Sequence, residues 1–386
     1  MADIYVPIND ATAVTRFSSN VFAHAISTCK AAQFMAVNLK SASDKTNIVQ
    51  LFDELKSGPG DQVKYDLIPN IVGPGVVSPG VIAGAKVGWN AFQDTLSINK
   101  HRQAQKLKGT MSQQRVPYSI RKQMHIGIGN WYKEIFDCGM LNQLGGNTYQ
   151  SNVAYTGLNT VTATDTAHWS YAGAQSAESG LTSSHPMSLQ YIPDLVAKAQ
   201  SQLTFPIKPV MVGGVEVAGV LFLHPLQVRD MRKSFTAGEW GNIQLAALQG
   251  GQASGQNPMF TGAIGMYDNV LMHQDRRVPW GNTAQNVVYD PAIAANIAAP
   301  TALGVAASGT TSVARAIFCG AQALAMAFGG AAQNDAGDPM RVKWVEELLD
   351  AQDELRVTAS MTYGIKKTMF NSQNYGCIVL STWAAP

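Results

Sequence analysis

The sequence predicts an α+β chain, and three observations lead there. A stripe of apolar residues at helical spacing runs over 117–144; strand-like runs turned by glycine lie at 63–98 and 209–223; and two further runs, Met361–Phe370 and Gly376–Thr382, read as terminal strands. The length, 386 residues, suits one elaborate domain or two to three subdomains, and no internal repeat is visible.

From Ser18 the apolar positions Val21, Phe22, Ile26, Phe34 and Val37 suggest an amphipathic helix capped by Ser18 or Ser19. A short helix is expected over 43–56, with Ile48, Leu51, Phe52 and Leu55 on one side and an end at Gly58-Pro59-Gly60. Val63 to Leu67 then alternates with period two, a Gly/Pro tract follows from Pro69 to Gly88, and a return run spans Trp89 to Ile98. This is a long hairpin with an irregular tip. Two strands alone are marginal in water, so the hairpin either leans on something outside its own domain or packs on its own core.

Pro117 sits at a first-turn position of the long helix, which carries Ile120, Met124, Ile128, Trp131 and Ile135 on one stripe and Ile126, Tyr132, Phe136 and Met140 on a second. Gly127 and Gly129 in its middle mark a bend, a close approach by another backbone, or nothing beyond a tolerated cost. Residues 145–186, rich in Ser, Thr, Asn, Gly and Ala, read as a long excursion with little core of its own, and 187–203 as a helix. Gly213-Gly214 turns a hairpin within 209–223, whose second strand ends at His224-Pro225 before a helix over 226–234. Val270 to Met272 is strand-like, and 284–310 is Ala-rich and unassigned. The richest apolar stretch, 313–330, reads as a buried helix, with strand as the alternative. A last helix is expected from Trp344 to about Leu355, its polar face formed by Glu346, Glu347, Asp350, Asp353 and Glu354.

The charged fraction, 14%, is well below the roughly 25% of ordinary soluble chains, while 28 basic and 26 acidic residues give a net charge of +2. Such a balance disfavours nucleic-acid binding by bulk charge and leaves a surface suited to contact. One local exception stands out. From Thr95 to Lys133 there is no acid, whereas Lys100, Arg102, Lys106, Lys108, Arg115, Arg121, Lys122 and Lys133 fall inside. That run is either a solvated face or a patch meeting phosphate or the acids of another chain.

No chemistry-bearing pattern emerges. The cysteines, 29, 138, 319 and 377, form neither a CxxC pair nor a Cys/His cluster, so zinc is not supported and a reducing compartment is the simpler reading. No GxSxG elbow, P-loop or dinucleotide fingerprint occurs, and Gly127-Ile-Gly129 lies inside a helical pattern. His273-Gln-Asp275 is an isolated coincidence, and His224 reads as a structural residue at a strand end. No catalytic residue, cofactor or metal site is expected. The N-terminal sequence lacks a basic start and an apolar run, and no stretch of about 20 apolar residues follows, so a soluble cytoplasmic product without a membrane partner is expected.

The order of these elements, with the phrases Gln114-Arg-Val-Pro-Tyr-Ser-Ile-Arg-Lys122, Phe222-Leu-His-Pro-Leu-Gln-Val-Arg-Asp-Met231, Asn257-Pro-Met-Phe-Thr-Gly-Ala-Ile-Gly-Met-Tyr267 and Tyr375-Gly-Cys-Ile-Val-Leu-Ser-Thr382, resembles that of tailed-phage major capsid proteins of the group typified by coliphage N-four. The resemblance spans nearly the whole chain and implies the coat fold of bacteriophage Hong Kong 97. It implies an N-terminal arm at 1–57, an extended E-loop at 58–110, a peripheral domain at 111–208 with a spine helix at 117–144, an axial domain at 209–340, and a return to the peripheral domain at 341–386. It further implies hexamers and pentamers in an icosahedral virion shell, separate scaffolding, portal and cement proteins, and weak non-specific contact with packaged DNA. No charged coiled coil precedes the arm, so no fused scaffolding segment is expected. Contacts between subunits are expected at Val63, Tyr65 and Leu67, and between Arg102, Lys106, Arg115 or Arg121 and Glu346, Glu347 or Asp350. Two other functions remain open: a soluble enzyme with a site in the Gly-rich loops, and a DNA-binding protein using the run 100–133.

Overall fold

The computed structural model describes residues 18, 20–25, 29, 34, 46–56, 59–68, 75–77, 91–107, 114–150, 152–212, 215–234, 263–281, 312–330, 332–333, 339–350 and 353–385. The Gly-rich loop 249–258, the Ala-rich segment 284–310 and most of the expected hairpin tip lie outside them.

Residues 20–25 are helical, as the apolar spacing from Ser18 predicts. Strand β1 (Val49–Phe52) follows, then a 3-10 turn at Glu54–Lys56, β2 (Gln62–Leu67), β3 (Phe92–Ser97) and β4 (Asn99–Leu107). The helix expected over 43–56 is therefore absent. Its apolar spacing fits a helix on paper, but Val49 to Phe52 pair in parallel with Leu324 to Ala327, and an available sheet edge overrides local preference.

Helix α1 (Ile120–Leu144) starts three residues after Pro117, because the side chain of Ser119 accepts a hydrogen bond from the Lys122 N–H at 3.4 Å and caps it. Both expected stripes exist over its first half; from Ile135 to Leu144 every residue is buried. The mid-helix glycines make room for side chains, not backbone. A Cβ on Gly129 would lie 2.6 Å from the His24 ring, and one on Gly127 2.9 Å from the Gln105 amide.

The excursion 145–186 is packed, contrary to expectation. It turns through short 3-10 segments, and Ala172 and Leu181 are fully buried. Asn142 and Gln143 at the end of α1 donate to the carbonyls of Tyr155 (3.1 Å) and Thr156 (2.7 Å). Gly157 adopts φ +71° against Ile365, whose Cβ would sit 2.4 Å from any added Cβ. The excursion contains the short strand β5 (Trp169–Tyr171), and after it α2 (Tyr191–Ala197) continues as a π-turn to Gln202.

Next come β6 (Val210–Val212), β7 (Val215–Val217), β8 (Gly219–Leu223), α3 (Pro225–Lys233), β9 (Ala263–Tyr267), β10 (Val270–Gln274) and β11 (Trp280–Gly281). His224 is the N-cap of α3. It forms a capping box with Gln227, as a residue at a strand-to-helix step should.

The stretch 313–330 holds two strands, β12 (Val313–Cys319) and β13 (Leu324–Phe328), in place of a buried helix. Both are buried at every residue, so their continuous apolar run carries no period that separates strand from helix. After β14 (Ala332–Gln333) and β15 (Pro339–Met340) come β16 (Val342–Leu349) and β17 (Glu354–Lys367), which replace the helix expected from Trp344 to Leu355. Val342, Trp344 and Glu346 face inward on alternate positions, and the buried glutamate disguised that alternation. Short β18 (Met369–Phe370) and β19 (Gln373–Asn374) lead to β20 (Cys377–Trp383).

These strands make two principal sheets. One has the order β1-β13-β17-β16 with β4 paired to the long β17; the other has the order β5-β20-β12-β8-β10-β9 with β11 on β12. The chain crosses from the second to the first between Cys319 and Leu324, through Gln322 at φ +61°. A single apolar cluster joins α1 to both sheets; on the far side of the second sheet α2 and α3 cover Leu221, Phe318 and Ile378. Phe136 lies at the centre, edge-on to Tyr363 at 4.9 Å and Phe328 at 6.3 Å. Replacing it, Phe136→Ala, is expected to lower stability by about 3–5 kcal/mol in urea unfolding. Lys122→Ala on the exposed face of the same helix is expected to change it by less than about 0.5 kcal/mol.

Candidate functional site

The β2–β3 hairpin is anchored at its base, and at its other end Phe92 packs edge-on to Phe205 at 5.9 Å. Its register pairs Val63 with Leu96 and Leu67 with Phe92. Val63 and Leu96 are buried against Ala325 and Ala327, with Phe52, Leu55 and Ile98 around them. Val63 thus finds its cover within its own chain, and the need for a neighbour does not arise at this residue. Tyr65, half-buried, stacks on Phe52 at 5.3 Å and donates to Asp94 at 2.6 Å. Asp94 also takes the Met369 N–H at 3.2 Å and the Lys366 ammonium, while Asn159 donates to the carbonyls of Ser97 (2.9 Å) and Ile365 (3.2 Å). Burial and the Asp94 charge push the Tyr65 hydroxyl well above its ordinary value, so it remains a donor. At the other end Leu67 is half-buried, Ile68 is 58% exposed and Val77 is 83% exposed.

The basic run forms strand β4 and the start of α1. Lys100, Arg102, Ala104 and Lys106 share one face of the first sheet, opposite Thr362, Ser360, Thr358 and Arg356 of β17; Lys343, Val345 and Glu347 of β16 complete the rows. One of the pairs expected between subunits, Arg121 with Glu346, is found within the chain. Arg121 holds Glu346 through Nε at 2.8 Å and Nη2 at 2.7 Å, and the Trp344 indole donates to the same carboxylate at 2.8 Å. Lys106 pairs with Glu354, and Arg356 with Glu347. Arg102, Arg115 and Asp350 are exposed. Arg102 and Arg115 form no ion pair among the described residues.

A buried ion network links α1 to the second sheet. Arg277 reaches Asp275 at 2.8–2.9 Å, Glu134 at 3.2 Å and Asp137. Burial opposes its charge, but the Asp275 hydrogen bonds and the three carboxylates hold the guanidinium above its ordinary value. The residue spacing gave no hint of this grouping, since Glu134 and Asp137 lie on a helix and the other two beyond β10.

The histidines singled out in the sequence occupy structural positions. His224 stacks on Trp280 at 5.5 Å, and burial lowers its value from 6.5 to about 4. His273 lies between Phe34 and Phe222. His168 and Asp165 meet at 2.7 Å; burial raises the Asp165 carboxyl, but bonds from His168 and the Asn374 N–H hold it below its ordinary value. Among the described residues no group of three or more His, Cys, Asp or Glu is disposed to hold a metal, and no helix is long and apolar enough to cross a membrane. A groove of about 440 Å³ beside β5 is lined by Trp169, Tyr171, Tyr191, Asp194 and Lys198, whose ammonium is tied to the Trp169 carbonyl and the Ser170 hydroxyl at 2.9 Å each.

Comparison with known proteins identifies the family of this architecture. The model of the phage capsid protein family matches residues 5–385, and the chain belongs to that family. The major capsid protein of Pseudomonas phage KPP25 is 25% identical over 369 residues, 89% of each chain. Among solved structures, the capsid of Ralstonia phage GP4 matches with a TM-score of 0.72 at 24% identity over 100% of this chain and 99% of the other. The capsid of cyanophage Pam1 matches at 0.65 and 17% identity, over 92% and 93%. The coat fold expected from the sequence is the fold observed.

Two outcomes follow from the buried ions. Arg277→Met leaves three carboxylates without their cation and is expected to destabilise the chain by about 3–5 kcal/mol at pH 7, and by less near pH 4 where carboxylates take up protons; thermal melts at both pH values check this. His224 resists protonation when folded, so its neutral form costs nothing at pH 7. Below about 6.5 the unfolded chain binds the proton first, and stability falls as pH drops toward 4. His224→Asn keeps a capping side chain and is expected to flatten that part of the melting-temperature profile.

Proposed function

We propose that this chain is the major capsid protein of a tailed bacteriophage, self-assembling as hexamers and pentamers into the icosahedral head that encloses double-stranded DNA. The observation that carries the reading is the match of the phage capsid family over residues 5–385, supported by a fold shared along the whole chain. Its place is then the virion shell. Charge at 14% of residues suits a subunit that covers much of its surface with copies of itself. The role is structural, and neither cofactor nor catalysis forms part of it.

Within that reading, residues 1–57 are the arm, 111–208 the peripheral segment with α1 as spine, and 341–386 the return strands. The E-loop is 58–110, its last strand β4 joined to the first sheet, and the axial unit is 209–340, its sheet completed by β5 and β20 from outside that range. The far end of the hairpin, with Leu67, Ile68 and Val77, rests on a neighbouring subunit, while Tyr65 stiffens its base. Arg102, Arg115 and Asp350 contribute rim contacts between subunits worth about 0–1 kcal/mol each. Scaffolding, portal and cement functions belong to other chains, and contact with packaged DNA is weak and non-specific.

Deleting residues 70–88 is the direct test. The anchored base should keep the body folded, with an unchanged far-ultraviolet circular dichroism spectrum, while sedimentation shows no shells. Normal particles from the shortened chain would refute the role given to the hairpin.

A further inference from the structure

The four cysteines find no use in the coat function, yet two of them are brought face to face. Cys319 closes β12 and Cys377 opens β20, and the antiparallel register sets them directly opposite one another. The hydrogen bonds of this ladder fix the kind of pair. The Gly320 N–H donates to the Gly376 carbonyl at 2.8 Å, and the Ala384 N–H to the Ser312 carbonyl at 3.1 Å, so the bonded pairs fall on even positions of β12. Cys319 with Cys377 is therefore a non-hydrogen-bonded pair. Opposed α-carbons at such a pair lie about 4.5 Å apart, within the roughly 4.4–6.8 Å that a disulfide spans.

Both side chains also leave the sheet on the same side. Cys319 and Cys377 belong with Ile317 to the core under α1, whereas Phe318 and Ile378 face the opposite cluster. Each is fully buried, and each is a free thiol here. We propose that Cys319 and Cys377 are a modification site: a latent cross-strand disulfide that peroxide-type oxidants close, stapling the C-terminal strand to the middle of the second sheet.

Burial raises both thiols, Cys377 to about 11 and Cys319 well above its ordinary value, and the buried Lys367 ammonium offsets part of the rise at Cys377. Closure gives the same products from either sulfur. Starting from Cys377, the thiolate attacks one oxygen of hydrogen peroxide, breaking the O–O bond; the sulfur becomes a sulfenic acid, and the departing hydroxide takes up the thiol proton as water. Cys319 then attacks that sulfur, the S–S bond forms, and the sulfenic oxygen leaves as a second water with the Cys319 proton. Two thiols and one peroxide give one disulfide and two waters. Few thiolates exist at neutral pH, so closure is slow, and a reducing cytoplasm leaves the pair open. The cost is one weak donor, the Cys377 thiol lying 3.9 Å from the Leu144 carbonyl.

The test treats the purified full-length protein with hydrogen peroxide at pH 8.5, then unfolds it in an alkylating agent and maps the peptides. The expected result is loss of two of the four alkylatable thiols, a mass lower by two hydrogens, and a peptide linking 319 to 377 within one chain. A rise in melting temperature that dithiothreitol reverses should accompany it. Cys377→Ala should abolish the link and Cys29→Ala should leave it. Four intact thiols, a sulfinic acid at Cys377 without any link, or a link between other cysteines or between chains would overturn the proposal. None of these outcomes depends on whether shells assemble.

Discussion

The buried C-terminal half of α1 is the constraint on which the rest of the molecule depends. From Ile135 to Leu144 no helix face meets water, so the helix end must find partners for its last carbonyls inside the protein. The N–H groups of Gly145, Gly146 and Asn147 supply them, donating to Leu141, Gln143 and Asn142, and the next two carbonyls are taken by Arg315 of β12. This arginine is 2% exposed, donates to the carbonyls of Gly145 (3.2 Å) and Gly146 (2.9 Å), and is held by Glu178 at 2.8 and 2.9 Å. A cation at a helix C-terminus is favoured by the helix dipole, and its own burial is compensated by Glu178. One side chain thereby ties the helix, the second sheet and the excursion 145–186 together. Arg277 makes the corresponding tie half-way along the helix.

That arrangement explains which parts of the fold were legible in the sequence. The long helix, the 63–98 hairpin and the last strand follow local rules and stand close to where those rules put them, whereas the run 215–223 divides into β7 and β8 and the strand expected from Met361 begins at Glu354. The failures share a cause. Residues 49–52 and 313–328 hold strands whose partners lie far along the chain, and 342–355 spans the closed end of a hairpin between adjacent strands; burial on both faces, or a buried Glu346, erases the alternation that marks a strand. The excursion looked coreless because its anchors are polar: Asn142, Gln143 and Arg315 hold it through its carbonyls and through Glu178. The Arg277 network and the Cys319–Cys377 pair were invisible because each joins positions that only the fold brings together, α1 with the segment after β10 in the first and β12 with β20 in the second.

The candidate contact surface was legible in part. The hairpin was readable from Val63-Lys64-Tyr65-Asp66-Leu67 and its Gly/Pro tract, but its base proved to be anchored by Asp94 and Asn159. The acid-free run marked a real strand, yet the cations Lys106 and Arg121 meet Glu354 and Glu346 of the same chain. Sequence charge alone does not say which partner is nearest. Among the described residues Ile68 and Val77 of the hairpin segment and Arg102 and Arg115 of the basic run remain exposed.

The most direct measurement is electron microscopy of the purified full-length protein, with sedimentation to count the population. A coat subunit gives capsomers or closed, hollow particles of uniform diameter. A small oligomer of fixed size, at every protein concentration and salt level tried, would contradict the account.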